Sequence, residues 1–224
     1  LSVPLHAPVT GRVEAIEPMP TARGPKMEAI VIHTDPASDQ QVLWGAPRDP
    51  EALDSKETIA AIQATGLVGL GGAGFPSHAK VAVPEGHQVD TLVVNGCECE
   101  PYLTTDHRVM LEYGEDLFRG IHITLRALGA ERAVIGIEDN KPDAIARMRE
   151  LAADDPAVEV QAVDAKYPQG SEKMLVTTLT DRVIPSGHHT YEVGVVVNNV
   201  GTLAALGRLL PAGEGLVERV ITVA

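Results

Sequence analysis

Short runs of apolar, β-branched residues alternate with longer amphipathic stretches over most of the chain. The apolar runs predicted to be buried strands are residues 89–94, 133–137, 158–163 and 193–197. The stretches predicted to be helices are residues 55–65, 104–128, 141–153, 172–179 and 200–210. This alternation predicts an α/β fold, with a Rossmann-like sheet that carries helices on both faces.

The start of the chain has a different pattern. Residues 5–13 predict short strands around a turn at Thr10 and Gly11, and residues 27–32 predict a further strand. The phrase APVTGRV resembles the small β-sandwich (barrel-sandwich hybrid) of lipoyl-like modules, and it has no lysine at a hairpin tip, which favours a structural role. We therefore expect a small β module over residues 1–45 and an α/β domain over residues 46–224.

Five glycines lie between Gly66 and Gly74, directly after the first predicted helix. A glycine-rich backbone turns sharply and exposes its N–H groups, and with Lys80 nearby it predicts a concavity for an anion such as a phosphate. The order of elements differs from a Rossmann turn, and no Gly-Lys-Ser/Thr triplet of a P-loop occurs. A glycine-rich surface hairpin is the alternative interpretation.

Polar clusters follow two of the predicted strands. Residues 95–101 (NGCECEP) follow the first strand, and residues 198–202 (NNVGT) follow the fourth. Ligands of open α/β sheets bind beyond the carboxyl ends of the strands, so the glycine loop and both clusters can converge on one polar ligand. Asn198 and Asn199 also precede a predicted helix, where an N-capping role is equally consistent with the sequence.

Composition restricts the function further. A net charge of −13 over 224 residues argues against nucleic acid or an anionic membrane surface as the partner. There is no apolar run of about 20 residues and no signal peptide, so we expect a soluble, cytosolic protein. The chain begins at Leu1, and we expect a fragment that lacks domains at both ends. Cys97 and Cys99 are too few for a cluster, and Cys99 is expected to be buried.

Four phrases together resemble the RnfC family, which supplies one subunit of the Rnf electron-transport complex. They are residues 69–76 (GLGGAGFP), 95–102 (NGCECEPY), 136–142 (GIEDNKP) and 198–202 (NNVGT), in the same order over nearly the whole chain. The glycine loop and the Asn-Asn phrase also resemble the flavin- and NADH-binding subunit of respiratory complex I. The resemblance implies hydride transfer between NADH and FMN, followed by onward transfer of single electrons in a complex that couples electron transfer to ion translocation.

The same resemblance implies the site residues. Those implied to bind FMN are Gly69, Gly71, Gly72, Gly74, Lys80, Asn95, Glu98, Asn198, Asn199 and Thr202. Phe75 would stack on NADH, and Glu100 would reach its adenosine ribose. Tyr167, Gly170 and Glu172 would lie beside the nicotinamide. Glu98 and Glu172 are the implied catalytic residues, and no metal ligand is implied.

The resemblance also implies partners and location. NAD(H) and the other subunits of the membrane complex would be partners of a peripheral subunit, on the cytoplasmic side of the bacterial inner membrane. [4Fe–4S] clusters are expected only in a C-terminal segment that this sequence lacks.

The sequence departs from the complex I relative at several positions. Cys97 replaces an acidic residue, Val68 and Leu70 replace loop arginines, Ser171 replaces a glutamate, and Val83 replaces a stacking aromatic residue. Two alternatives stay open: a docking scaffold of the same complex that has lost cofactor affinity, and a cobalamin-reductase-type flavoprotein subunit.

Overall fold

The computed structural model describes residues 2–21, 24–39 and 45–223. The strands are β1 (Gly11–Pro20), β2 (Lys26–Thr34), β3 (Thr91–Gly96), β4 (Arg132–Glu138), β5 (Val158–Val163) and β6 (Val195–Asn199). The helices are α1 (Ser55–Ala64), α2 (Ser77–Val81), α3 (Thr105–Glu112), α4 (Gly114–Leu128), α5 (Pro142–Leu151), α6 (Glu172–Thr180) and α7 (Val200–Ala212). Short 3-10 helices cover Pro50–Ala52 and Thr190–Val193.

β1 and β2 form a two-stranded antiparallel sheet, with Gly11 opposite Thr34 and Pro20 opposite Lys26. The turn predicted at Thr10 and Gly11 is therefore wrong, because Gly11 begins a strand and the chain reverses after Pro20. A Cβ at Gly11 would lie 2.3 Å from the carbonyl oxygen of His33. Glycine is needed here because the two strands approach each other closely. From the local sequence alone, a glycine with this role looks the same as a glycine in a turn.

The second sheet contains four parallel strands in the order β5-β4-β3-β6. Successive side chains of β3 point to opposite faces. Leu92 and Val94 pack in the core with α3, α4, α5 and α7, whereas Val93 packs in a separate core with α6. Both cores are buried, which confirms the predicted α/β fold with helices on both faces.

The predicted single helix over residues 104–128 is wrong. The backbone of Tyr113 leaves helical geometry, at φ −121° and ψ 30°, and divides the stretch into α3 and α4. Gly114 then packs closely on α5, since a Cβ at this position would lie 2.7 Å from Cδ1 of Leu151. The break at Tyr113 therefore lies directly before a glycine at which α4 packs closely on α5.

The order of strands determines where a ligand cleft can form. β4 and β5 follow β3 on one side of the sheet, whereas β6 returns to the other side of β3. The strand order therefore reverses between β3 and β6, and α/β sheets bind ligands at the carboxyl end of such a switch point. Asn95 lies at that end of β3, and Asn198 and Asn199 lie at that end of β6.

Candidate functional site

A cleft of about 770 Å³ opens at the carboxyl ends of β3 and β6. Its wall combines the glycine loop (residues 66–76), α2, the two strand ends, the loop before α6 and the first turn of α7. The predicted site residues that line it are Gly69, Gly71, Phe75, Lys80, Asn95, Glu100, Tyr167, Gly170, Glu172, Asn198, Asn199 and Thr202. Gly72, Gly74 and Glu98 are not among the lining residues.

The glycine loop is a tight hairpin. The N–H of Gly69 donates to the carbonyl of Phe75 at 2.8 Å, and the N–H of Gly74 donates to the carbonyl of Gly69 at 3.2 Å. Gly72 and Gly74 have φ values of +110° and +62°, which glycine adopts at no steric cost. Both interpretations of the loop therefore have support: its backbone is a hairpin, and the hairpin forms one wall of the cleft.

The glycine loop is fixed against the start of α7. The N–H of Leu70 donates to Thr202 Oγ1 at 2.9 Å, while the Leu70 carbonyl accepts from Arg219 Nη2 at 2.5 Å. A Cβ at Gly71 would lie 3.1 Å from Cβ of Asn199, so the loop backbone contacts that side chain directly. These contacts hold the loop and the N-terminus of α7 together at one side of the cleft.

Asn199 has the N-capping role. Its Oδ1 accepts the N–H of Thr202 at 3.2 Å at the first turn of α7. The free N–H groups and the dipole at a helix N-terminus favour a negatively charged group. The glycine loop and the start of α7 therefore form one wall of the cleft, and the helix N-terminus in this wall favours a phosphate.

Lys80 is not a freely solvated surface lysine. Its ammonium donates to the Val197 carbonyl at 2.7 Å and lies 3.4 Å from Glu172 Oε1. The lysine therefore bridges α2, the edge strand β6 and the start of α6. It brings a positive charge to a cleft that is also lined by Glu100 and Glu172.

Asn95 organises the wall opposite the glycine loop. Its Nδ2 donates to the Gly170 carbonyl at 2.9 Å, and its Oδ1 accepts the N–H of Cys97 at 3.0 Å. A Cβ at Gly170 would lie 2.6 Å from the Cys97 carbonyl oxygen. Glycine at this position lets the loop before α6 lie directly on the end of β3.

Glu98 is buried and has a structural contact at the start of α3. Its two carboxylate oxygens accept the N–H groups of Asp106 at 3.0 Å and His107 at 3.3 Å. Thr104 occupies the N-cap position of α3 without a side-chain cap, and Glu98 satisfies the free donors instead. The catalytic role of Glu98 stays a prediction.

Sequence reasoning missed the role of Asp106, which lines the cleft and accepts Asn199 Nδ2 at 2.6 Å. Burial and the nearby Glu98 carboxylate raise the pKa of Asp106 to about 7, although the Asn199 hydrogen bond opposes this. The two residues are 93 positions apart in the chain. No local pattern indicates their contact, which only the positions of α3 and β6 bring about.

Aromatic and other polar side chains also lie on the cleft. Phe75 and Tyr167 have exposed fractions of 41% and 77%. Tyr191 also lines the cleft and stacks on His189 at a centroid distance of 5.3 Å. Ser77 Oγ is buried at the cleft and has no hydrogen-bond partner among the described residues, so it is available to a ligand.

The two thiols differ in burial. Cys97 is the buried one, and burial raises its pKa to about 12, so it is a poor nucleophile. Cys99 is partly exposed and lines the cleft, so its predicted burial is wrong.

Across residues 2–21, 24–39 and 45–223, no group of His, Cys, Asp and Glu is arranged to hold a metal ion. In the same part of the chain, every helix is too short or too polar to cross a membrane.

Comparison with known families decides the identity of the domain. Residues 62–208 match the model of the Nuo51 FMN-binding domain. The chain belongs to this family. Residues 1–37 also match the RnfC barrel sandwich hybrid domain, in agreement with the module expected at the start of the chain.

Curated relatives of this FMN-binding-domain protein belong to oxidoreductase complexes, in which each is the subunit designated C. The relative from the Na(+)-translocating ferredoxin:NAD(+) oxidoreductase complex of Acetobacterium woodii is 40% identical over 99% of this chain. The relative from the proton-translocating ferredoxin:NAD(+) oxidoreductase complex of Clostridium ljungdahlii is 42% identical over 100% of it. The chain covers 50% and 49% of these relatives, about half their length. The resemblance to the RnfC family is thereby confirmed.

A solved structure shares the fold of the FMN-binding domain. The NAD+-reducing [NiFe]-hydrogenase in its H2-reduced state superposes with a TM-score of 0.59 at 28% identity. The match covers 73% of this chain and 32% of that chain.

The residues of the cleft fit FMN. The volume of about 770 Å³ is within the range of cofactor sites. The wall formed by the glycine loop and α7 presents a helix N-terminus to a phosphate, and the unpaired Ser77 Oγ and the Lys80 ammonium are further polar groups of the cleft.

Proposed function

We propose that this protein is the FMN- and NAD(H)-binding part of an oxidoreductase subunit of an ion-translocating membrane complex. In this proposal residues 46–224 hold the flavin, and residues 1–45 form the separate β module. FMN bound in the cleft would supply hydride exchange with NADH and pass electrons onward one at a time. The observation that carries the proposal is the convergence of the glycine loop, both strand ends and the start of α7 on one cleft.

The residues of the chain would bind and orient the two ligands. The glycine loop and α7 would hold the flavin phosphate through N–H donors, with Lys80 as the cation of the site. Asn95 would set the position of the loop that carries Gly170, and thus the space beside the flavin ring. Glu172 would be a catalytic residue beside the nicotinamide. Its Oε1 lies 3.4 Å from the Lys80 ammonium.

The dinucleotide would occupy the wider, outer part of the cleft. Phe75 and Tyr167 are exposed there and offer aromatic surfaces for its rings, and Glu100 offers a carboxylate to a ribose hydroxyl. Val68 and Leu70 bring no positive charge to the loop, so we expect weaker dinucleotide than flavin binding.

The proposed assignment to an ion-translocating membrane complex is based on the names of the relatives. Their names include both a Na(+)-translocating and a proton-translocating complex, so the coupling ion of this protein stays open. We propose that the protein is a peripheral subunit on the cytoplasmic side of the bacterial inner membrane. Its partners would be other subunits of the complex, and [4Fe–4S] clusters outside this sequence would accept the electrons.

Anaerobic addition of NADH to the FMN-loaded protein tests the proposal. We expect loss of the flavin absorbance in the wild type. Lys80→Ala should bind FMN roughly 10- to 100-fold more weakly, because it removes a charged hydrogen-bond donor. Lys166→Ala, which removes an exposed lysine paired with Asp164, is the matched control and should behave as the wild type.

The outcomes separate the candidate functions. FMN binding without loss of absorbance on NADH addition would contradict the hydride step. Failure of the wild type to bind FMN would overturn the proposal and favour the docking scaffold.

A further inference from the structure

A second cavity of about 260 Å³ lies behind the glycine loop. It is lined by α3, the start of α7 and the segment that follows α7, including Val109, Ala204 and Arg219, and it opens to solvent on one side. Asp106 lines this cavity and also lines the FMN cleft. Its carboxyl group therefore lies between two spaces, and the second one is large enough for several water molecules.

Asp106 is linked to the cleft through Asn199. The Asp106 carboxylate accepts one N–H of Asn199 Nδ2, while Asn199 Oδ1 accepts the N–H of Thr202. The Asn199 amide thus has a donor partner on one side and an acceptor partner on the other, which fixes its orientation. Because Gly71 packs against this side chain, Asp106 supports both the glycine loop and the start of α7.

The charges that face Asp106 come from three parts of the chain. Glu98 and Glu100, between β3 and α3, add to the effect of burial in raising the pKa of Asp106. Arg219, in the segment after α7, opposes them. Arg208 on α7 also lines the second cavity, where it is paired with Glu218. The balance keeps the pKa of Asp106 at about 7, so this carboxyl group exchanges its proton near neutral pH.

We propose that Asp106 is a positioning residue of the FMN cleft, which holds Asn199 and takes up a proton from the second cavity when an anionic ligand enters the cleft. The inference rests on the proposed function, since FMN is the anion concerned. An ionised Asp106 repels an incoming phosphate across a partly dry site, and protonation removes that repulsion. The proton is bound from solvent and is released again when the ligand leaves.

Calorimetric titration with FMN between pH 6 and pH 8, in buffers of different ionisation enthalpy, measures this linkage. The wild type should take up protons on binding above pH 7, and its Kd should rise with pH by up to roughly tenfold per unit. Asp106→Asn keeps an acceptor for Asn199 but cannot ionise. The Kd of this variant should equal the wild-type Kd at pH 6, and it should not show the increase in Kd with pH that Asp106 causes.

Asp143→Asn is the matched control, because Asp143 is exposed on α5 and pairs with His107, away from the cleft. It should keep the wild-type pH dependence. The FMN phosphate itself titrates near pH 6. The phosphate titrates equally in all three proteins. The difference in the pH dependence of Kd between the wild type and Asp106→Asn therefore measures the contribution of the Asp106 carboxyl group.

A second readout needs no flavin. Carbon NMR of the ligand-free protein should detect a carboxyl group that titrates near neutral pH in the wild type and in Asp143→Asn, and that is absent from Asp106→Asn. Absence of such a group from the wild type would overturn the inference even if the Asp106→Asn variant failed to fold.

The results distinguish the two proposals. Unchanged pH dependence of FMN binding in Asp106→Asn would overturn the inference and leave the flavin site intact. Failure of the wild type to bind FMN at pH 6 would overturn the proposed function, and the inference with it.

Discussion

At the residue scale, contacts between distant parts of the chain hold the polar side chains of the cleft in place. Asn95, Asn199 and Lys80 could be selected because they lie at strand ends or beside a glycine-rich loop. The partners of these side chains are far away in the chain, as with Lys80 and the Val197 carbonyl. Asp106 has only the local appearance of a helix-capping residue, so its contact with Asn199 had no signal in the sequence.

Glu98 illustrates the same limit, and its substitution is the first prediction. Because its carboxylate accepts two N–H groups at the start of α3, Glu98→Gln should lower the free energy of unfolding by about 1.5–3 kcal/mol. Urea denaturation at pH 7 measures this effect. Glu100→Gln changes an exposed neighbour and should cost less than about 0.5 kcal/mol. Equal stability of the two variants would contradict the capping role.

The pKa of Asp106 predicts a pH-dependent stability. The folded-state pKa of about 7 lies above the unfolded value, so between these two pH values the folded state holds a proton that the unfolded state has lost. Stability from this group should fall as pH rises towards 7 and then level off. Between pH 5 and pH 8 the loss is about 2–3 kcal/mol.

Asp106→Asn should remove this loss. Thermal unfolding of the variant and the wild type at pH 5 and pH 8 checks it, and the advantage of the variant should be larger at pH 8. An advantage that did not change with pH would contradict the raised pKa.

At the scale of elements, apolar periodicity predicted the strands well because buried parallel strands are continuous apolar runs. β5 was predicted with its observed bounds, and α7 with its observed first residue. The errors lie where tertiary contacts decide the local conformation. The break at Tyr113 depends on packing against α5, and the start of β1 at Gly11 depends on close approach of its neighbour strand.

The close packing of α4 on α7 gives a prediction at this scale. A Cβ at Gly120 would lie 1.9 Å from the Leu203 carbonyl oxygen, so the helix backbones are nearly in contact. Gly120→Ala should lower the free energy of unfolding by about 3 kcal/mol, because the two helices would have to move apart.

Gly129→Ala is the comparison, since Gly129 has φ +66° at the end of α4 and no atom near its Cβ position. The free energy of unfolding of this variant should fall by about 1–2 kcal/mol, which is the cost of a Cβ on a left-handed backbone. Urea denaturation of both variants decides the matter, and a smaller loss for Gly120→Ala than for Gly129→Ala would contradict the close crossing.

At the scale of the whole molecule, the fold places three separate segments of the chain at the switch point between β3 and β6. The strand order that creates this switch point could not be read from the sequence, since apolar runs do not specify which strands are neighbours. The general rule for ligand sites in α/β sheets still predicted the edge of the sheet at which the cleft opens.

Equilibrium titration of the protein with FMN, followed by quenching of flavin fluorescence, tests whether the cleft between β3 and β6 is a flavin site. We expect saturable binding of one FMN per chain. Gly71→Val should weaken it, because even a Cβ at this position would lie 3.1 Å from Asn199. Circular dichroism checks that the variant is folded. Absence of saturable binding to the wild type at about 1 mM FMN, or equal affinity of a folded Gly71→Val variant, would contradict the assignment of the cleft.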